Sequence, residues 1–138
     1  MKKALALDLG DKWVGIAISD TLKMFARPYK TVTAPELEQA LATILQEEPI
    51  DTVVVGYPKT MKGRESEQTT KVVQQKEDLQ NKFPNVSWVL WDERLSSQRA
   101  DAVSSAKKKK KSPEEKLRSH SVAAAFILDS YLTAQSLK

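Results

Sequence analysis

The chain has no cysteine among its 138 residues, which excludes disulfides, thiolate zinc sites and cysteine nucleophiles together. No apolar run approaches the roughly 18 residues of a membrane span, because Asp8 interrupts the first hydrophobic stretch within a few residues. Internal repeats are also absent, and a run of lysines is the one low-complexity segment. These absences lead to the expectation of a soluble cytoplasmic protein without a membrane partner. The length predicts one domain spanning residues 1–138.

Charge is present in modest excess and uneven placement. Lys and Arg number 22 against 18 acids, a net charge of +4. Lys107, Lys108, Lys109, Lys110 and Lys111 are consecutive, and Lys116 and Arg118 follow closely. Such a run is either a solvated loop or a phosphate-contacting one; each phosphate neutralised on duplex nucleic acid adds a salt-sensitive term with a slope of about −0.9.

The first twenty residues organise the pattern. Leu5, Leu7 and Leu9 alternate with Ala4, Ala6 and Asp8, which predicts a strand whose otherwise apolar course carries one carboxylate. Gly10, Asp11 and Lys12 have the length of a hairpin loop, so Val14, Ile16 and Ile18 should return antiparallel, with Gly15, Ala17 and Ser19 on the other side. A third strand is expected over 24–32, with Pro28 marking an edge or bulge. Thr33, Pro35 and Glu36 open a helix with Leu37, Ala40, Leu41, Ile44 and Leu45 at helical spacing. Residues 52–56 read as a buried parallel strand, and a basic loop containing Pro58 and Gly63 follows. A helix through Val72, Leu79 and Phe83 ends at Pro84, and 86–91 form a further strand ending in Asp92-Glu93-Arg94. The last helix opens at Ser112-Pro113-Glu114-Glu115 and has Leu117, Ala124, Ile127, Leu128 and Tyr131 as its buried stripe, with His120 inside it. Ala123, Ala124 and Ala125 are expected to let this helix lie close to the small side chains around Asp8.

Three antiparallel strands followed by helix, strand, helix, strand, helix imply a mixed sheet whose last two strands run parallel to the first. Sites in such sheets form outside the carboxyl ends of parallel strands, where Asp8, the loop after Gly56 and the Asp92-Glu93 pair fall. Gathered carboxylates repel one another unless they share a cation, and Mg²⁺ or Mn²⁺ suits such oxygens. Two such ions would activate a water and stabilise a leaving oxygen in phosphodiester hydrolysis. Asp8 and Glu93 are the leading metal ligands on this reading. Asp8 also has an ordinary reading, as a turn aspartate bonded to nearby amides. Asp92 points away from Glu93 in a regular strand and is read as a helix cap or as a partner of Arg94.

Four motifs in order carry a resemblance that spans nearly the whole chain. Leu7-Asp8-Leu9-Gly10 with Gly15-Ile16-Ala17-Ile18-Ser19-Asp20 is the first, and Val54-Val55-Gly56-Tyr57-Pro58 with Met61-Lys62-Gly63 the second. Asp92-Glu93-Arg94-Leu95-Ser96 and Ser121-Val122-Ala123-Ala124-Ala125-Phe126-Ile127-Leu128 complete the set. Together they resemble the YqgF family, bacterial proteins described as Holliday junction resolvases or as the nuclease that matures the 5′ end of 16S rRNA.

The resemblance implies an α/β, RNase H-like fold: a five-stranded mixed sheet of order 3-2-1-4-5 with helices on both faces. It also implies an acidic triad, of which Asp8 and Glu93 match two members. The third is replaced, because His120 stands where relatives usually show an aspartate. Thr60 and Lys62 likewise stand where an asparagine and an aspartate are common. His120 then reads as a substitute ligand or a proton-transfer group, or else as a core histidine satisfied by a backbone carbonyl. The expected activity is metal-dependent cleavage of structured RNA or branched DNA, with pre-16S rRNA foremost. A junction resolvase and a non-catalytic nucleic-acid-binding homologue are the alternatives. Lys12, Lys59, Lys62, Arg64, Arg94 and residues 107–111 are the expected phosphate contacts, and the expected state is a monomer or weak dimer.

Overall fold

The hairpin expected at the start of the chain lies at the centre of the computed structural model, in which residues 1–57, 67–92 and 112–137 are described. Strands β1 (Lys3–Leu9) and β2 (Trp13–Ser19) pair antiparallel around the loop of Gly10, Asp11 and Lys12, with Asp8 opposite Gly15. β3 (Ala26–Thr33) adds to β2 with a register shift at Ile16/Ala17, beside Pro28, as expected for an edge strand carrying proline. β4 (Ile50–Tyr57) pairs parallel with β1, and β5 (Ser87–Asp92) pairs parallel with β4. The resulting order is β3-β2-β1-β4-β5.

Strand alternation sends two different sets of side chains to the two faces. Leu5, Leu7, Leu9, Val14, Ile16, Ile18, Val53 and Val55 meet α1 (Leu37–Glu47) and α2 (Glu67–Lys82) in the larger core. Ala4, Ala6, Ala17 and Val54 meet α3 (Pro113–Ser136) through Ala124, Ile127, Leu128 and Leu132. Val53, Val54 and Val55 are fully buried, consistent with a parallel strand covered on both sides.

Local capping explains where the helices begin. Ser112 Oγ accepts the Glu115 amide at 3.2 Å, with Pro113 at the first helical position. At Thr33 the expected capping box forms. Glu36 accepts both the Thr33 amide (3.0 Å) and its hydroxyl (2.6 Å), and Ala34–Glu36 is a 3₁₀ turn leading into α1.

The stripe expected on α3 needs one correction. Leu117 is 38% exposed, whereas Leu132, outside the expected set, is buried. The Leu117 carbonyl accepts the Thr31 hydroxyl of edge strand β3, so this turn meets the sheet through its backbone and leaves the leucine side chain exposed.

Two truncations on α3 should therefore behave differently. Leu128→Ala, at a site with no exposed surface, is expected to lower unfolding free energy by about 2–5 kcal/mol in urea titration. Leu117→Ala should cost less than about 1 kcal/mol.

Candidate active site

β1, β4 and β5 end at the same edge of the sheet, at Leu9, Tyr57 and Asp92. Asp8 is half-buried there, on the face toward α3, since it alternates with the buried Ala4 and Ala6 of that layer. Glycine flanks it on both sides. Gly15 is its partner on β2, and Gly56 on β4 lies one step beyond the Leu7–Val55 pair.

The absence of a side chain at Gly15 decides where α3 sits. A Cβ built on Gly15 would lie 1.9 Å from the backbone oxygen of His120 and 2.8 Å from the amide nitrogen of Ser121. The helix backbone thus rests directly on β2 beside Asp8, and His120 stands at the point of closest approach. The alanine triplet expected to make this contact lies further along, where Ala124 packs with Ala4, Ala6 and Ala17. Thr31, the β3 partner of Gly15, donates its hydroxyl to Leu117 O at 2.6 Å and ties the first turns of α3 to the same edge. His120 is half-buried, and Ser121 beside it is buried with its hydroxyl donating to Arg118 O at 2.9 Å.

Exposed charges of both signs lie near this edge, with Asp11 in the β1–β2 loop and Glu114 and Glu115 at the start of α3. Lys12 is exposed in the β1–β2 loop, its ammonium 5.7 Å from the centroid of Trp13. Lys116 and Arg118 are exposed near the start of α3, and Lys71 on α2 lies 3.9 Å from Asp11. With both partners largely exposed, that last pair holds α2 weakly.

Asp92 closes β5 on the side of Trp88 and Leu90, and Trp88 packs into the α1/α2 core. Alternation therefore turns it away from the face that carries Asp8. Glu93, Lys59, Lys62, Arg64, Arg94 and Lys107, Lys108, Lys109, Lys110 and Lys111 lie outside the described residues, as does the helix expected from about Ser96. Among the described residues no group of three or more His, Asp or Glu side chains could hold a metal ion. Asp8 contributes one hard oxygen donor there, and a chain without cysteine offers no softer competitor.

Asp20, the last residue of the first motif, belongs to the opposite edge. Its carboxylate accepts the amides of Met24 and Phe25, both at 2.9 Å, and so shapes the β2–β3 turn. The Phe25 amide leads the interactions that hold its carboxyl below the usual range. A groove of about 460 Å³ lined by Ala4, Lys23, Met24, Thr52 and Tyr131 also lies at that edge, away from Asp8.

A family model described as "RuvX: Holliday junction resolvase" matches residues 2–134. A relative from Rubrobacter xylanophilus named "Putative pre-16S rRNA nuclease" is 35% identical over 130 residues, covering 94% of this chain and 91% of its own. Relatives of the same name from Chlorobaculum tepidum and Shouchella clausii are 35% and 38% identical, each covering 96% of its own length and 98% and 97% of this chain. Among solved structures, Thermus thermophilus RuvC in complex with a Holliday junction superposes with a TM-score of 0.66 at 12% identity, covering 100% of this chain and 98% of that one. That likeness confirms the expected RNase H-like fold. No helix among the described residues is long and apolar enough to cross a membrane.

Two predictions separate the edges. Gly15→Ala is expected to lower stability by about 3 kcal/mol in urea titration, because its methyl meets helix backbone that no side-chain rotation can clear. Asp20→Asn tests the turn. A carboxyl held low stabilises the fold above its unfolded value and loses that contribution as pH falls through its folded one. The stability gap between parent and Asp20→Asn should therefore be full at neutral pH and shrink below about pH 4, read by urea titration at each pH.

Proposed function

Because the chain belongs to the RuvX family of Holliday junction resolvases, we propose that it is a divalent-metal-dependent nuclease for structured nucleic acid, with precursor 16S rRNA as its foremost substrate. The observation that carries this reading is the placement of Asp8. It is a carboxylate at the carboxyl end of a parallel strand, flanked by two glycines, with α3 pressed against one of them at His120. On the β4 side Gly56 carries no side chain to cover the carboxylate, whereas the space over Gly15 is taken by the α3 backbone.

Asp8 and Glu93 are the residues that would hold the metal. A divalent ion there supplies Lewis acidity to the phosphate and lowers the pKa of an attacking water. His120 takes the place of a third carboxylate, and its imidazole transfers a proton to or from the reacting oxygens. Lys12, Lys59, Lys62, Arg64, Arg94 and the lysines at 107–111 hold flanking phosphates, which positions the substrate without reading its sequence. The family description and the junction-bound structural relative also favour branched DNA as a second substrate.

The test is cleavage of a 5′-extended 16S precursor RNA, with a four-way DNA junction in parallel, in Mg²⁺ and in Mn²⁺. The parent should cleave, and Asp8→Asn should lower the rate by roughly three orders of magnitude, matching the several kcal/mol a bound metal contributes. Cleavage unchanged in Asp8→Asn would overturn the assignment of the site. A parent inactive on both substrates, with activity gained in His120→Asp, would show that the chain keeps the fold without the chemistry.

A further inference from the structure

Trp13 is a tryptophan that the described fold leaves unused. The indole N–H of Trp88 donates to Phe83 O at 2.9 Å, and that of Trp91 donates to Ser130 Oγ at 3.0 Å. Trp91 also meets Tyr131 edge to face, with ring centroids 5.4 Å apart. Trp88 packs against the larger core and Trp91 against the smaller one. Trp13 belongs to neither, is half-buried, and has no acceptor for its indole N–H among the described residues. Aromatic side chains of this size normally contribute to a core and find a partner for their polar handle.

Its position suggests what the ring is for. Trp13 is the first residue of β2, two before Gly15, and so lies on the sheet face that carries Asp8, about 7 Å along the strand from the glycine opposite it. The Lys12 ammonium stands 5.7 Å from its ring centroid, a cation–π distance. An exposed cation next to an aromatic face is the pair of groups that binds single-stranded nucleic acid, the ring taking a base and the ammonium a phosphate.

We propose that Trp13 and Lys12 form a base-stacking subsite for an unpaired nucleotide next to the phosphate cleaved at Asp8. Resting on the nuclease reading above, the subsite makes the enzyme favour substrates that are single-stranded at the cleavage point. Every base has a π face, so the preference is for an unpaired nucleotide and not for a sequence.

The experiment measures binding without divalent metal, so that nothing is cleaved. The ligands are a short single-stranded RNA, the same strand with abasic nucleotides, and its duplex; the proteins are the parent, Trp13→Phe, Trp13→Leu and Trp13→Ala. Trp13→Ala and Trp13→Leu should each weaken single-strand binding by at least fivefold, about 1 kcal/mol at 1.4 kcal/mol per decade, while Trp13→Phe stays within threefold of the parent. Duplex binding should not change, and abasic substitution should cost the parent what it no longer costs Trp13→Ala. Leucine, which restores apolar bulk without a π face, separates stacking from support of the fold. Parent-like binding by Trp13→Leu, or an equal loss on strand and duplex, would overturn the proposal. Intact binding differences in a parent that cleaves nothing once metal is added would overturn the nuclease reading instead and leave the subsite standing.

Discussion

The contact between the α3 backbone and Gly15 is the constraint on which the rest of this molecule depends. A helix normally stands off a sheet by the length of its side chains; here the His120 carbonyl occupies the space where a Cβ would be. Such an approach is possible only because the sheet face beneath is built from Ala4, Ala6, Gly15 and Ala17, with Ala124 facing them. Close contact between small groups leaves no void, and Ile127, Leu128 and Leu132 fill the remaining volume further along the helix. A larger residue at 15 would lift the helix and open this layer along its length. The same contact brings His120 to the one carboxylate on that face of β1.

The two sheet edges differ in how their polar groups are placed. At the amino edge the polar side chains satisfy one another or the backbone: Ser19 Oγ accepts the Ala4 amide, Asp20 caps the turn, and Lys23 lies 2.8 Å from Asp51. Burial opposes ionisation of Asp51, but the hydrogen bonds from Lys23 and Thr52 prevail and its carboxyl is held below the usual range. At the carboxyl edge Lys12, Lys116 and Arg118 are exposed around Asp8 and His120.

The likeness to RuvC at 12% identity shows how little of the sequence the architecture needs. Sheet order and strand direction follow from alternation, loop length and the requirement that parallel strands be joined by crossovers, and many side chains meet those demands equally well. Site chemistry has no such tolerance. The relatives at 35–38% identity share close to full length with this chain.

Much of the fold is legible in the sequence alone. All five strands were expected, β1 and β2 from hydrophobic alternation and β4 from its β-branched run; Ser112-Pro113-Glu114-Glu115 marked the start of α3, and the clustering of Asp8, Gly56 and Asp92 at strand ends followed from the order of elements. These features are local, or one step from local: a strand repeats every two residues and a cap spans four. What the sequence could not determine was the position of one element along another. Helical periodicity names the buried face of α3 but not which turn meets the sheet, so Leu117 was expected inside and is half-exposed, and the closest approach falls at His120 instead of at the alanines. Nor does composition reveal which of three tryptophans the core leaves unused, because that depends on what lies across from each ring. The sequence by itself determined the strands, their order and the carboxylate at the end of the first; only the tertiary structure decided that the α3 backbone meets the sheet at His120 and that both cores leave Trp13 aside, since a helix slides along a sheet until its backbone finds a position with no side chain, here Gly15.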